Sequence, residues 1–151
     1  MTTNQILSAL CVLFALRSGS SLQAQFSVGT WVQTAPMRGL TMTVEDCCNG
    51  GRRLIFNITL GQKTQTMMVE SRFDGSDAPV LVDGKPNGET MALKRVDERR
   101  TTTVFKRNGK VFRTSTAVES TARTTLTVEN AFIDTGNGRV TGRMTETYVR
   151  K

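Results

Sequence analysis

The feature that most constrains this chain is a two-residue alternation of apolar and polar side chains, broken at short intervals by pairs of turn residues. Leu54, Phe56, Ile58 and Leu60 alternate with Arg53, Ile55, Asn57 and Thr59, and a period of two puts the first set on one face of a half-buried strand. Only Gly61 and Gln62 separate that run from the next, where Met67, Val69 and Phe73 repeat the pattern. Asn108-Gly109 likewise stands alone between Arg107 and Lys110. Such pairs tolerate the φ > 0 that tight hairpin turns require. Helical spacing is scarce. Strands are predicted over 29–34, 40–46, 52–60, 63–73, 89–96, 100–107, 110–120, 123–132 and 139–150. Consecutive hairpins make an antiparallel meander, and an open sheet of that many strands would twist heavily and leave two edges exposed. The expected fold is all-β: an up-and-down meander of about 8–10 strands closed into a barrel.

The meander begins only at Gly29. Before it, residues 6–16 (ILSALCVLFAL) form an apolar run too short to cross a bilayer as a helix, followed by Ser18, Gly19, Ser20 and Ser21. This is the shape of an export signal, although Met1 to Gln5 carry no Lys or Arg. Cleavage is expected after Ala24, with Leu22 and Ala24 at the recognised positions, and a cut after Ser20 is the second choice. The expected organisation is a leader over 1–24 and one domain over 25–151 in the periplasm or outside the cell. Cys11 leaves with the leader; Ser8, Ala9 and Leu10 before it do not form a lipobox. Cys47 and Cys48 remain, in Glu45-Asp-Cys-Cys-Asn-Gly-Gly51. They read as a vicinal disulfide, a thiol pair for a soft metal, an intermolecular bridge, or simply two small residues in a hairpin turn.

The chain has no histidine, which removes Ser/His/Asp and Cys/His triads, a His general base and every His-containing metal site. Asp97 and Glu98 are adjacent and point to opposite faces of a strand, a poor arrangement for acid–base chemistry. Asp74, Asp77 and Asp83 do not reproduce the spacing of a calcium loop, and a surface turn is expected there. No catalytic residue, metal or cofactor is therefore expected. The formal net charge is +7, one unit less once Arg17 leaves, but the cations are spread along the chain. The aromatics fall at core-like strand positions, so nucleic acid is not an expected partner. Threonine is abundant on both strand faces and is read chiefly as outer-face β-propensity.

The stretch Phe26-Ser-Val-Gly29-Thr-Trp31 resembles the Gly-x-Trp opening of calycin-type barrels, the lipocalins and fatty-acid-binding proteins. Phe73-Asp-Gly-Ser-Asp-Ala-Pro-Val80, Met91-Ala-Leu-Lys-Arg-Val-Asp97, Lys106-Arg-Asn-Gly-Lys-Val-Phe112, Leu126-Thr-Val-Glu129 and Thr147-Tyr-Val-Arg-Lys151 are similar to segments of a family of small exported bacterial lipocalin-like domains. The resemblance covers nearly the whole mature chain and implies a barrel and export; that family has no established activity. It further implies that Gly29 and Trp31 are structural, with Trp31 at the closed end under a late-strand arginine, Arg143 or Arg150, in cation–π contact. The departures are informative. A helical lid has no room between the first two predicted strands, and where fatty-acid-binding proteins carry an Arg-x-Tyr carboxylate clamp this chain has Glu146-Thr-Tyr148.

Two functions follow as expectations. The first is a non-catalytic barrel holding an apolar or weakly polar molecule against Phe56, Met67, Phe112, Val118 and Tyr148. Glu146 disfavours an anionic head group, unless a one-residue slip in phase brings Arg95, Arg113 or Arg143 inward. The second is an envelope interaction domain with a filled barrel, whose basic outer surface makes weak contact with anionic polymers or lipid head groups. Interior volume separates the two.

Overall fold

The computed structural model describes residues 26–151, so the expected leader and Cys11 lie outside the described residues. Ten strands follow one another: β1 (Gly29–Ala35), β2 (Leu40–Cys47), β3 (Gly51–Leu60), β4 (Lys63–Ser71), β5 (Asp74–Val82), β6 (Lys85–Arg95), β7 (Arg100–Arg107), β8 (Lys110–Glu119), β9 (Thr125–Ile133) and β10 (Val140–Arg150). Each pairs antiparallel with its neighbours in sequence, and β1 pairs with β10 to close the barrel. Closure removes both edges that a meander would otherwise expose.

Local chemistry makes the hairpins. Asn108 (φ 49°) and Gly109 (φ 76°) both take the left-handed region between β7 and β8, as a two-residue turn matched to strand twist demands. Between β2 and β3 the same conformation runs through Cys48, Asn49 and Gly50, and Cys47 and Cys48 are joined to each other in a disulfide there. The turn reading and the disulfide reading of this pair therefore hold together.

One strand departs from the sequence reading. The segment expected as a surface turn contains β5, which pairs with β6 through two register shifts, between Asp74 and Asp77 and between Pro79 and Leu81. Bulges accommodate the Gly, the Ser and the Pro that lacks a ladder donor, while Ala78 and Val80 still point into the core. The three carboxylates work separately: Asp74 accepts from Ser76, Asp77 from Lys106, and Asp83 from the Thr66 amide.

The core is the barrel interior, built from Trp31, Val44, Leu54, Val69, Val80, Leu93 and Leu126, each at most 1% exposed. Chain reversal at each hairpin places the first residues of odd strands and the last residues of even strands at one end. Phe26 packs edge-on against Phe73 there, with ring centroids 5.5 Å apart. Glu119, 1% exposed at the end of β8, ties the chain before β1 in place: its two carboxylate oxygens accept from the Ser27 amide at 2.7 Å and the Ser27 hydroxyl at 2.8 Å. Trp31 donates its indole N–H to the Ser27 carbonyl at 3.2 Å. Gly29, at φ 141°, has the Arg150 guanidinium where a side chain would begin, and only glycine combines that backbone with that clearance. Arg150 thereby reaches the Trp31 ring, 5.9 Å from its centroid. Arg143 is not the partner: it lies on the outward phase of β10, exposed beside Thr114, Thr116 and Glu129.

Candidate functional site

The interior holds a cavity of about 160 Å³. Its apolar wall comes from alternate positions of successive strands, which the ladder brings side by side: Met42 pairs with Phe56, Phe56 with Met67, and Met91 with Phe105. Leu40, Leu54, Ile58, Leu93 and Leu126 extend the same surface. Thr103, 4% exposed, brings one of the many threonines to the inner face.

A polar patch interrupts this wall where β8, β9 and β10 adjoin. Ser115 stands opposite Asn130, and Arg113 one step along the same face; Glu146 and Tyr148 follow on β10, opposite Val128 and Leu126. All five of these polar residues line the cavity. The Tyr148 hydroxyl donates to Glu146 Oε2 at 2.7 Å. Burial, together with the negative field and hydrogen bond of Glu146, pushes the Tyr148 phenol well above its ordinary range. The Arg113 guanidinium lies over the Phe105 ring, 3.7 Å from its centroid. Burial lowers the pKa of that guanidinium, and Glu146 acts in the opposite sense, so it stays a cation at neutral pH.

This patch leaves hydrogen-bonding capacity unmet. Arg113 Nε and Asn130 Nδ2 are buried with no protein partner. Gln33, opposite Tyr148 in the β1–β10 ladder, also keeps an unpaired Oε1, but it is not part of the cavity wall. Buried polar groups are ordinarily paired, and each exception calls for an explanation.

Of the residues expected to form a ligand wall, Phe56, Met67 and Tyr148 line the cavity. Phe112 does not. A register shift sets Phe105 against Arg113 and Lys106 against Val111, leaving Phe112 as the extra residue of a bulge, where it packs on Phe105 and under Arg107. Val118 is corrected outright: it is 36% exposed and borders an outer groove with Arg99, Arg100 and Thr116. The inward phase of β8 is Arg113, Ser115, Ala117 and Glu119, so hydrophobicity pointed to the wrong face of this strand. Arg113 is the inward cation that a slip in phase would supply. Asn130 was not read from the sequence; its one signal is its place two residues from Phe132 and Val128 on the β9 alternation.

No protein-family model, no curated protein and no solved structure matches this chain at a significant level. The fold, a closed ten-strand antiparallel barrel, is consistent with a calycin-like architecture.

Proposed function

We propose that this protein is an exported, non-catalytic lipocalin-like barrel that holds one small apolar or weakly polar molecule in its interior. The observation that carries the reading is the cavity of about 160 Å³, apolar over most of its wall and polar in one patch, which is how small-molecule sites combine affinity with orientation. An apolar cavity of roughly 150 Å³ takes up a benzene-sized molecule, so the occupant is small. A long-chain fatty acid exceeds this volume and would bring its carboxylate beside Glu146.

The outer surface supports an envelope-contact function less well. Arg52 with Asp46, Arg53 with Glu70, Lys106 with Asp77 and Arg107 with Glu89 form ion pairs between strands, so these four cations are already partnered within the chain. Native mass spectrometry of protein purified from its own host tests the reading. A retained small mass, lost on denaturation, is the expected result. The bare polypeptide mass, combined with no uptake from a panel of small aromatic compounds, overturns it.

A further inference from the structure

We infer that the lumen selects a small neutral molecule carrying a hydrogen-bond acceptor, an aromatic or short aliphatic carbonyl compound, which Arg113 and Asn130 hold by donation. This deepens the lumen-binding reading above and rests on it.

The donors come first. Arg113 and Asn130 sit on adjacent strands with Ser115 opposite Asn130, so they are diagonal neighbours on one face, roughly 7–8 Å apart at the backbone and within joint reach of one ligand atom. Both line the cavity, and each has a buried N–H without a protein partner. One face of the Arg113 guanidinium is covered by Phe105. An Arg N–H cannot become an acceptor, and the Asn130 amide as oriented leaves its Nδ2 donor unmet. A purely apolar occupant would leave both unmet; an oxygen acceptor satisfies them.

The charge balance comes second. The wall carries one cation, Arg113, and one carboxylate, Glu146, and Tyr148 spends its proton on Glu146. The site is neutral as built. A carboxylate ligand would add an uncompensated negative charge in a low-dielectric space beside Glu146, and an ammonium ligand would face Arg113. A carbonyl oxygen offers the acceptor without the charge.

The size comes third. A volume of about 160 Å³ accommodates a single ring with a short polar substituent and no long chain.

The test compares toluene, acetophenone and benzoate at pH 7, three one-ring probes that differ in the group offered to the patch. Calorimetry and Trp31 fluorescence measure binding to the secreted protein. Meeting a buried donor is expected to favour acetophenone over toluene by about tenfold, with benzoate weaker than acetophenone. Arg113→Met and Asn130→Leu should each narrow the ratio of acetophenone to toluene affinity, the quantity that reads the donor. Should Arg113→Met fail to fold by far-UV circular dichroism, Asn130→Leu reads the same donor pair.

Toluene binding as tightly as acetophenone overturns the acceptor inference and leaves lumen binding standing. Benzoate binding tightest overturns the charge argument. An unchanged acetophenone-to-toluene ratio in both variants overturns the assignment of the donors. If none of the three probes binds, as judged also by absent amide shifts at Phe56, Met67 and Tyr148, the underlying reading fails and takes the inference with it.

Discussion

Removing the indole of Trp31 is the severest single test of the barrel's closed end. The residue is 0% exposed, stands opposite Met42 on β2 and Arg150 on β10, and donates to the Ser27 carbonyl at 3.2 Å. A buried ring of this size removes roughly 150–250 Å² from water, which at ~25 cal/mol/Å² is about 4–6 kcal/mol measured against an extended chain. The denatured chain is more compact than that reference, which lowers the figure; truncations of buried Phe and Trp to Ala cost about 3–5 kcal/mol. Trp31→Ala is therefore expected to lose about 4 kcal/mol, a large share of the ~5–15 kcal/mol that holds a domain together. Trp31→Phe keeps most of the apolar contact and gives up the N–H, so a smaller loss of about 1–2 kcal/mol is expected. Urea unfolding followed by far-UV circular dichroism reads both, since the fluorophore is absent from both variants. A shift worth less than about 1 kcal/mol for Trp31→Ala, or equal shifts for the two variants, would refute the burial of the indole in the core.

Glu119→Gln replaces a buried carboxylate that accepts twice from Ser27; a loss of about 1–3 kcal/mol is expected, with faster amide exchange at Ser27 than elsewhere in the barrel. Val118→Asp, on the outer face, should change stability by less than about 0.5 kcal/mol, whereas Ala117→Asp, one residue away and 3% exposed, should unfold the protein or cost several kcal/mol. Tyr148 is the one tyrosine of the chain, so absorbance at the phenolate band reports it alone. Its folded pKa is raised, so the stability linked to it is full below the unfolded value of about 10 and declines as pH rises beyond that, where only the unfolded chain loses its proton. The expected titration shows no phenolate near pH 10 and then a cooperative rise with unfolding; a simple curve centred near 10 in folded protein would place the hydroxyl in water.

Most of the strand order was legible because alternation records both faces of a strand at once, and because residues such as Asn108-Gly109 and Gly61-Gln62 mark reversals with a backbone requirement rather than a tendency. β5 was hidden for the converse reason. Asp74-Gly-Ser-Asp-Ala-Pro79 has the local chemistry of a turn, and its strand conformation depends on pairing with β6 through two bulges, a tertiary effect that no local pattern displays. The candidate site was half legible. Phe56 and Met67 face inward as their apolar alternation requires. The arginine stacked on Trp31 is Arg150, directly opposite it in register, and register across the closing pair is set by the whole barrel.

β8 shows why the remainder could not be read. Its inward residues are Arg113, Ser115, Ala117 and Glu119, and its outward ones include Val118, the reverse of what burial of apolar surface favours. Such an inversion destabilises the strand unless the buried polar groups are met. At the closed end they are: Glu119 is taken up by Ser27 and approached by Arg123 at 3.6 Å, so that part of the inversion builds the plug formed by Phe26 and Ser27. At Arg113 the ring of Phe105 covers one face and Glu146 balances the charge, yet Nε is unpaired, and so is Nδ2 of Asn130 on the next strand. Two inward charges of one strand thus break the same local rule, Glu119 with full compensation inside the chain and Arg113 without. Where a local rule is broken and the chain does not compensate, function is the expected cause. In this barrel that place is the lumen wall between β8 and β10.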